Sequence, residues 1–178
     1  MPADTSDWGA YIQQLEDARQ TPYRLFRVAA KELAARMLAL VIPNTPVGVY
    51  AKDTGKQGGT LRRGWVSKTH HQAASNADQN GPSAAEMRAW AQSLPVRHTG
   101  NTYEITVSNP VEYASYVEYG HRQEPGRFVP AIGKRLKKSW VEGQHMMTIS
   151  EEQIRSIQPQ VLEKVLAQWL KEEFENGK

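Results

Sequence analysis

Asp53-Thr54-Gly55 is the first place in this sequence where residue types suggest chemistry. Asp-Thr-Gly carries the catalytic carboxylate of aspartic proteases, in which two aspartates share one proton. That reaction needs the tripeptide enclosed by apolar strands, and needs a second copy or a dimer. Here the flanks are Tyr50-Ala51-Lys52 and Lys56-Gln57-Gly58, which are polar and glycine-containing, and the tripeptide occurs once. The residues fit a turn, with Asp at its first position and Gly where positive φ is required. Gly58-Gly59-Thr60 lacks the Gly-x-x-x-x-Gly-Lys-Ser/Thr spacing of a phosphate loop. The five histidines, His70, His71, His98, His121 and His145, contain no pair at helical metal-ligand spacing. His70 and His71 are adjacent, and adjacent residues of a strand face opposite ways. No nucleophile elbow is present. The expectation is a protein without catalytic residues, metal or cofactor, and not an enzyme.

The second kind of chemistry is contact chemistry. Arg122, Arg127, Lys134, Arg135, Lys137 and Lys138 fall in one short window, interleaved and flanked by Phe128 and Trp140. Cations alone suit DNA phosphates. Arginine beside exposed aromatics suits a protein interface, and the aromatics favour a protein partner here. Tyr113, Tyr116 and Tyr119 recur at three-residue spacing, which spreads them over a wide helical arc. They cannot all face one core, so at least one is expected at a surface or subunit contact.

These residues need a scaffold. The chain has 178 residues, enough for one compact domain with a real core. Its mean hydropathy is −0.63 and its net charge +3, with a pI near 9.1. That balance is mild and does not by itself call for nucleic acid. Cysteine is absent, which excludes disulfides and thiolate metal sites. No run is apolar enough for a bilayer, and Met1-Pro2-Ala3-Asp4 does not open a secretory signal. A soluble protein made in a cytoplasm is expected.

Ser6 or Asp7 can cap a short first helix holding Trp8, Ile12 and Leu15. Thr21-Pro22 then reads as the start of a long amphipathic helix with Phe26, Ala29, Ala30, Leu33, Met37, Leu40 and Val41 at helical spacing, ending at Pro43. Residues 44–60 read as a loop and 61–69 as a strand, with Gly64 marking a bulge or a close backbone approach. Residues 70–100 read as an insertion: a polar loop to Pro82, then a short helix opened by the capping box Ser83-Ala84-Ala85-Glu86. Tyr103 to Ser108 alternates strictly and is expected to pair with the Leu61 strand or one near it. Val111 to Tyr119 fits a short helix stopped by Gly120. Residues 122–143 form a basic arm, read as a β-hairpin with limbs at 127–129 and 139–141. A helix begins near Thr148 at overlapping capping boxes and passes or restarts at Pro159. Its apolar face holds Val161, Val165 and Trp169 with Leu162, Leu166 and Leu170. The expectation is one α+β domain over 1–178. Its core lies at about 22–42, 61–69, 103–119 and 148–175, with a small antiparallel sheet packed on the long N-terminal helix and a C-terminal helix.

Two segments carry a family resemblance. One is Thr45-Pro46-Val47, then Asp53-Thr54-Gly55, then Leu61-Arg62-Arg63-Gly64-Trp65. The other runs from Asn109-Pro110-Val111 through Tyr113-Ala114-Ser115-Tyr116-Val117-Glu118-Tyr119-Gly120 to His121-Arg122. Together they resemble the small neck and minor tail proteins of siphophages and prophages, of the tail-completion or head–tail joining type. In those proteins Thr-Pro-Val runs directly into Asp-Thr-Gly; here residues 48–52 intervene, and residues 56–60 lengthen the gap to Leu61. The resemblance implies an α+β virion protein made in the host cytoplasm and placed at the head–tail junction. It implies a homo-oligomeric ring, six-fold in many such necks, touching adjacent neck, tail-tube or head-closure proteins, with DNA contact in the lumen and no membrane partner. Tail completion, tail termination and head closure stay open as roles. A DNA-binding accessory protein using the basic arm is the alternative from another class. Asp53, Thr54, Gly55, Leu61, Arg62 and Trp65 are then structural turn and strand residues. The interface candidates are Tyr113, Tyr116, Tyr119, Arg122, Arg127, Phe128, Arg135, Lys137, Lys138 and Trp140.

Overall fold

The computed structural model of the chain describes residues 6–50, 55, 57–130 and 133–176. Its first element is one helix, α1, Ser6–Asn44, of 39 residues. The expected break at Thr21-Pro22 does not occur. Residues 16–20, Glu-Asp-Ala-Arg-Gln, contain no glycine or asparagine to end a preceding helix, so the chain continues through Pro22 with the loss of one backbone hydrogen bond. The side chains of Trp8, Ile12 and Leu15 lie outside the described residues. The buried face of α1 is Ala29, Ala34, Met37, Leu38, Val41 and Ile42. Leu38 and Val41 are fully enclosed, each worth roughly 1.5–3 kcal/mol of burial. Phe26 and Leu40, assigned to that face by periodicity, are exposed and half-buried.

After α1 come α2, Thr60–Gly64; α3, His70–Ser75; and α4, Ala84–Ser93. The expected strand at 61–69 is therefore a correction: the segment opens as a helical turn. Leu61, Gly64 and Trp65 are buried together, which is i, i+3, i+4 spacing and suits a helix better than a strand. The polar stretch after it is not all loop. Thr69 caps α3 by accepting the Gln72 N–H. The Ser83 capping box of α4 is present as expected, with both reciprocal hydrogen bonds.

β1, Arg97–Thr99, and β2, Thr102–Glu104, form an antiparallel hairpin with His98 opposite Tyr103. The Tyr103 strand thus pairs with its immediate predecessor and not with residues 61–69. An aromatic cluster ties this hairpin to α1: His98 stacks on Tyr103 at 4.4 Å, and Phe26 and Tyr23 approach Tyr103 at 5.2 and 5.8 Å. Beyond Glu104 the alternation persists as burial, since Ile105 and Val107 pack on the core while Thr106 and Ser108 are exposed.

α5, Ala114–Tyr119, ends at Gly120 with φ 80°. The arm follows. β3, Gly120–Arg122, pairs with β6, Trp140–Glu142; nearer the tip, β4, Phe128–Val129, pairs with β5, Lys134–Arg135. The hairpin expectation for 122–143 is realised with a different register: Phe128 faces Arg135, and Trp140 faces Arg122. The last element is α6, Met146–Asn176, a 31-residue helix that runs through Pro159. α6 is the main packing partner of α1, and α4 the second. The fold is α+β: among the described residues, a long helix comes first and another last, with short helices and three two-stranded antiparallel sheets between them.

Candidate functional site

The residues of the two sequence segments meet in a hydrogen-bonded node. At the end of α1 the Thr45 hydroxyl donates to the Val41 carbonyl at 2.6 Å and accepts the indole N–H of Trp65 at 2.8 Å. Arg62 donates through Nε to the Thr45 carbonyl at 2.8 Å and through Nη1 to the Gln79 carbonyl at 3.0 Å. Arg63 reaches the Asn76 carbonyl at 3.0 Å and the Glu86 carboxylate at 2.6 Å, tying α2 to α4. From the second segment, Asn109 donates through Nδ2 to the Leu61 carbonyl at 2.8 Å and accepts the Val111 N–H at 3.1 Å. Gly64 faces Asn109 so closely that a side chain there would meet Asn109 Oδ1 at 2.1 Å. The close approach expected at Gly64 is present, made by a helix and an asparagine side chain, without a bulge. Leu61, Arg62 and Trp65 are thus structural residues, in a helical turn instead of a strand. Gly55 has φ 62°, consistent with a turn; Asp53 and Thr54 lie outside the described residues.

α5 connects this node to the arm. Val111 is buried, and Glu118, at 5% exposure, is the one buried charged residue among the described residues. Its carboxylate accepts the backbone N–H groups of Met147 and Thr148 at 2.8 and 3.1 Å and the Thr148 hydroxyl at 2.8 Å. Those are orphan donors in the first turn of α6, where a negative charge also complements the helix dipole. The expected capping boxes at Thr148 and Ser150 are superseded. The helix starts at Met146, the acid that caps it comes from α5, and the Ser150 hydroxyl donates to the Met146 carbonyl. Asn44 at the end of α1 donates to Ser150 Oγ and Gln153 Oε1 at 2.9 and 3.0 Å, closing the junction of α1 with α6. Neither link was readable in the sequence, because the partners lie far apart along the chain.

The tyrosines divide as their spacing requires. Tyr113, 39% exposed, sits edge-on to His70 and beside Tyr50 and Thr60; burial pushes its phenol above its usual range. Tyr116 and Tyr119 are 58% and 68% exposed. Tyr116 leans toward His121 at 5.6 Å. They border the root of the arm, so Tyr116, Tyr119 and the arm occupy one region of surface.

On the arm, Phe128 and Trp140 are about half exposed, and Arg122, Arg127, Arg135, Lys137 and Lys138 are exposed. Arg122, Arg127 and Trp140 line one shallow concavity with Gln123, Glu124 and Ser139. Arg135 is braced on the Gly126 carbonyl at 2.7 Å, which stiffens the outer half. A cationic, aromatic, open strand pair can engage an acidic and apolar surface. Among the described residues no three His, Asp or Glu side chains gather into a metal-binding group, and no described helix is long and apolar enough to cross a membrane.

Residues 10–120 match the model of the family described as "Bacteriophage HK97-gp10, putative tail-component". The match spans α1 to α5 and contains the whole Thr45–Trp65–Asn109 node, while most of the arm and all of α6 follow it. No curated protein and no solved structure gives a significant match. The matched residues include all of the first segment that carries the resemblance to phage neck and minor tail proteins, and the second as far as Gly120. The chain belongs to the HK97-gp10-like family of bacteriophage tail components, structural proteins of the virion.

Proposed function

We propose that this tail component acts at the head–tail junction, as one domain that assembles with copies of itself into a ring and thereby completes the tail or joins it to the head. The observation that carries the reading is the arm. A hairpin with half-exposed Phe128 and Trp140 leaves a core held by the Trp65–Thr45 and Asn109–Leu61 hydrogen bonds. Half-exposed aromatics beside arginines are a cost in isolation and a gain at an interface. A ring subunit needs a rigid body and an element that reaches a neighbour. Six-fold symmetry and contacts to adjacent neck, tail-tube or head-closure proteins belong to this proposal, as does passage of DNA past the arm.

Imaging of purified particles with this chain located in the density tests it. A ring of copies at the neck is the expected result. Absence of the chain from particles, or its placement elsewhere on the tail, overturns the junction reading. The structural role also predicts that Asp53→Asn particles assemble and infect as wild type does.

The basic window supports a second reading, a DNA-binding accessory role. It predicts affinity that falls steeply with salt and is removed by Lys137→Glu with Lys138→Glu. No binding at low salt ends that reading.

A further inference from the structure

We propose that the arm of one copy docks on a specific acidic and leucine-bearing stripe of α6 in the next copy, so that the subunits join head to tail. This rests on the ring reading above and supplies its contact. α6 buries one side against α1 and leaves another open. Glu152, Ser156, Pro159, Glu163, Leu166 and Leu170 recur at three- and four-residue spacing, and every one is exposed. At about 100° per residue they fall within one narrow stripe of the helix. Leu166 and Leu170 are 44% and 40% exposed, with the chain's own arm in place. Within its own copy, therefore, the arm does not cover them. No lysine or arginine occupies any of the six stripe positions.

The arm is the chemical complement. Six cations and Glu124 give residues 122–138 a net charge of +5; the whole chain carries +3, so the remaining residues carry −2. The rest of a second copy is thus opposite in sign to the arm, and Glu152 and Glu163 place two of its acids on the exposed stripe. Arg127 and Arg135, held side by side at the tip by the Phe128–Arg135 register, suit Glu163, and Phe128 beside them suits Leu166 one turn along the stripe. Phosphates would satisfy the cations but not the aromatics, whereas the stripe satisfies both.

Position makes the contact directional. The arm leaves the body beside the first turn of α6, because Gln144 N–H donates to the Val117 carbonyl and His145 N–H to the Glu118 carbonyl. The leucines lie 20–24 residues further along α6, about 30–36 Å away at the helical rise. The arm root and the leucine end of the stripe thus sit at opposite ends of one helix, with Glu152 near the root and Glu163 beside the leucines. An interface between unlike patches propagates from copy to copy and closes as a ring when the rotation permits.

The chain has no cysteine, so Phe128→Cys with Leu166→Cys introduces its only thiols, both at exposed positions. Mild oxidation of purified particles should give a covalent ladder of copies with the double variant and none with either single variant. A visible neck ring without a ladder overturns this inference and leaves the ring reading standing. A chain present in particles as isolated copies overturns both. Dimers from a single variant mean a like-with-like contact and overturn the head-to-tail geometry. Charge reversal gives a second, independent readout. Arg127→Glu with Arg135→Glu, or Glu152→Lys with Glu163→Lys, should each reduce incorporation into particles on the order of tenfold or more. Supplying both variants together should restore it, because each arm then meets an opposite stripe. Loss through the arm variant alone, with the α6 variant behaving as wild type, overturns the inference in favour of another partner, nucleic acid included.

Discussion

Gly64 lies against Asn109 with no room for a methyl group between them: a Cβ built on the glycine falls 2.1 Å from Asn109 Oδ1. The contact joins the two segments of sequence that mark the family. It also explains why a glycine stands at the buried last position of α2: no side chain fits there. The same Asn109 side chain spends its donor on Leu61 and its acceptor on Val111, so it cannot swing aside without loss.

Gly64→Ala should therefore destabilise the protein by roughly 2–4 kcal/mol, combining overpacking with disrupted buried hydrogen bonds. Adding Asn109→Ala should cost less than the sum of the two single changes, because the clash is relieved. Urea unfolding of the four proteins in the cycle measures this. A Gly64→Ala protein within about 0.5 kcal/mol of wild type would contradict the packing described.

Glu118 is the second test. Glu118→Ala removes the acceptor of two part-buried N–H groups in the first turn of α6, and should cost roughly 1–3 kcal/mol. Glu118→Gln keeps one acceptor oxygen and should lose about half as much. Thermal unfolding by circular dichroism separates the three proteins. Equal stability of the alanine variant and wild type would show that the cap contributes nothing.

Glu86 gives a pH dependence. Hydrogen bonds from the Ser83 backbone and hydroxyl, then from Arg63, lower its pKa from 4.5 to about 2. A depressed carboxylate stabilises the fold above its unfolded value and loses that contribution as pH falls through the folded one. Relative to Glu86→Gln, wild type should lose its advantage between pH 4.5 and about 2. The carboxylate is about half exposed, so the effect should stay under about 1 kcal/mol. Parallel acid titrations of melting temperature test the sign; an advantage that grows toward low pH would reverse it.

Trp140→Ala and Phe128→Ala should leave stability within about 0.5–1 kcal/mol of wild type, since both rings are half exposed. Incorporation into particles should nevertheless fall. Normal incorporation by the double variant would remove the arm from assembly.

Legibility of the sequence followed the range of the interactions. The Ser83 capping box, the Gly120 stop and the arm are local, and each was read from residues within a few positions of one another. Residues 61–69 misled because Leu61, Arg63 and Trp65 mimic strand alternation. The burial of Leu61, Gly64 and Trp65 is the helical pattern, and the two arginines are drawn off to carbonyls and to Glu86. α3 has little apolar periodicity to announce it, and its one local signal is the Thr69–Gln72 spacing, the same that opens α4. Pro22 resembles a helix start because a proline at the first turn is common, yet nothing before it supplies a stop and α1 runs through it. The Tyr103 strand was correct in alternation and wrong in partner, since pairing depends on the Gly100 turn beside it. Asn109 to Leu61 and Glu118 to Thr148 could not be read at all, being side-chain bonds across long separations. The exposed tyrosines and the arm aromatics of the candidate surface were legible from spacing and charge.

The root of the arm is packed backbone to backbone. A Cβ on Gly120 would fall 2.4 Å from the Val141 carbonyl oxygen, and one on Gly143 would fall 2.2 Å from that of Glu118. Two opposed glycines and the Glu118 cap fix the angle at which the hairpin departs. Over a limb of about 30 Å, a swing of 5° would displace the tip by about 2.6 Å, more than half the spacing between paired strands. A stiff root spares the assembling particle the entropy of aiming each arm. In the ring proposed above, the departure angle would set how many copies close the circle; a bulkier residue at position 143 must displace the Glu118 carbonyl and so re-aim the hairpin.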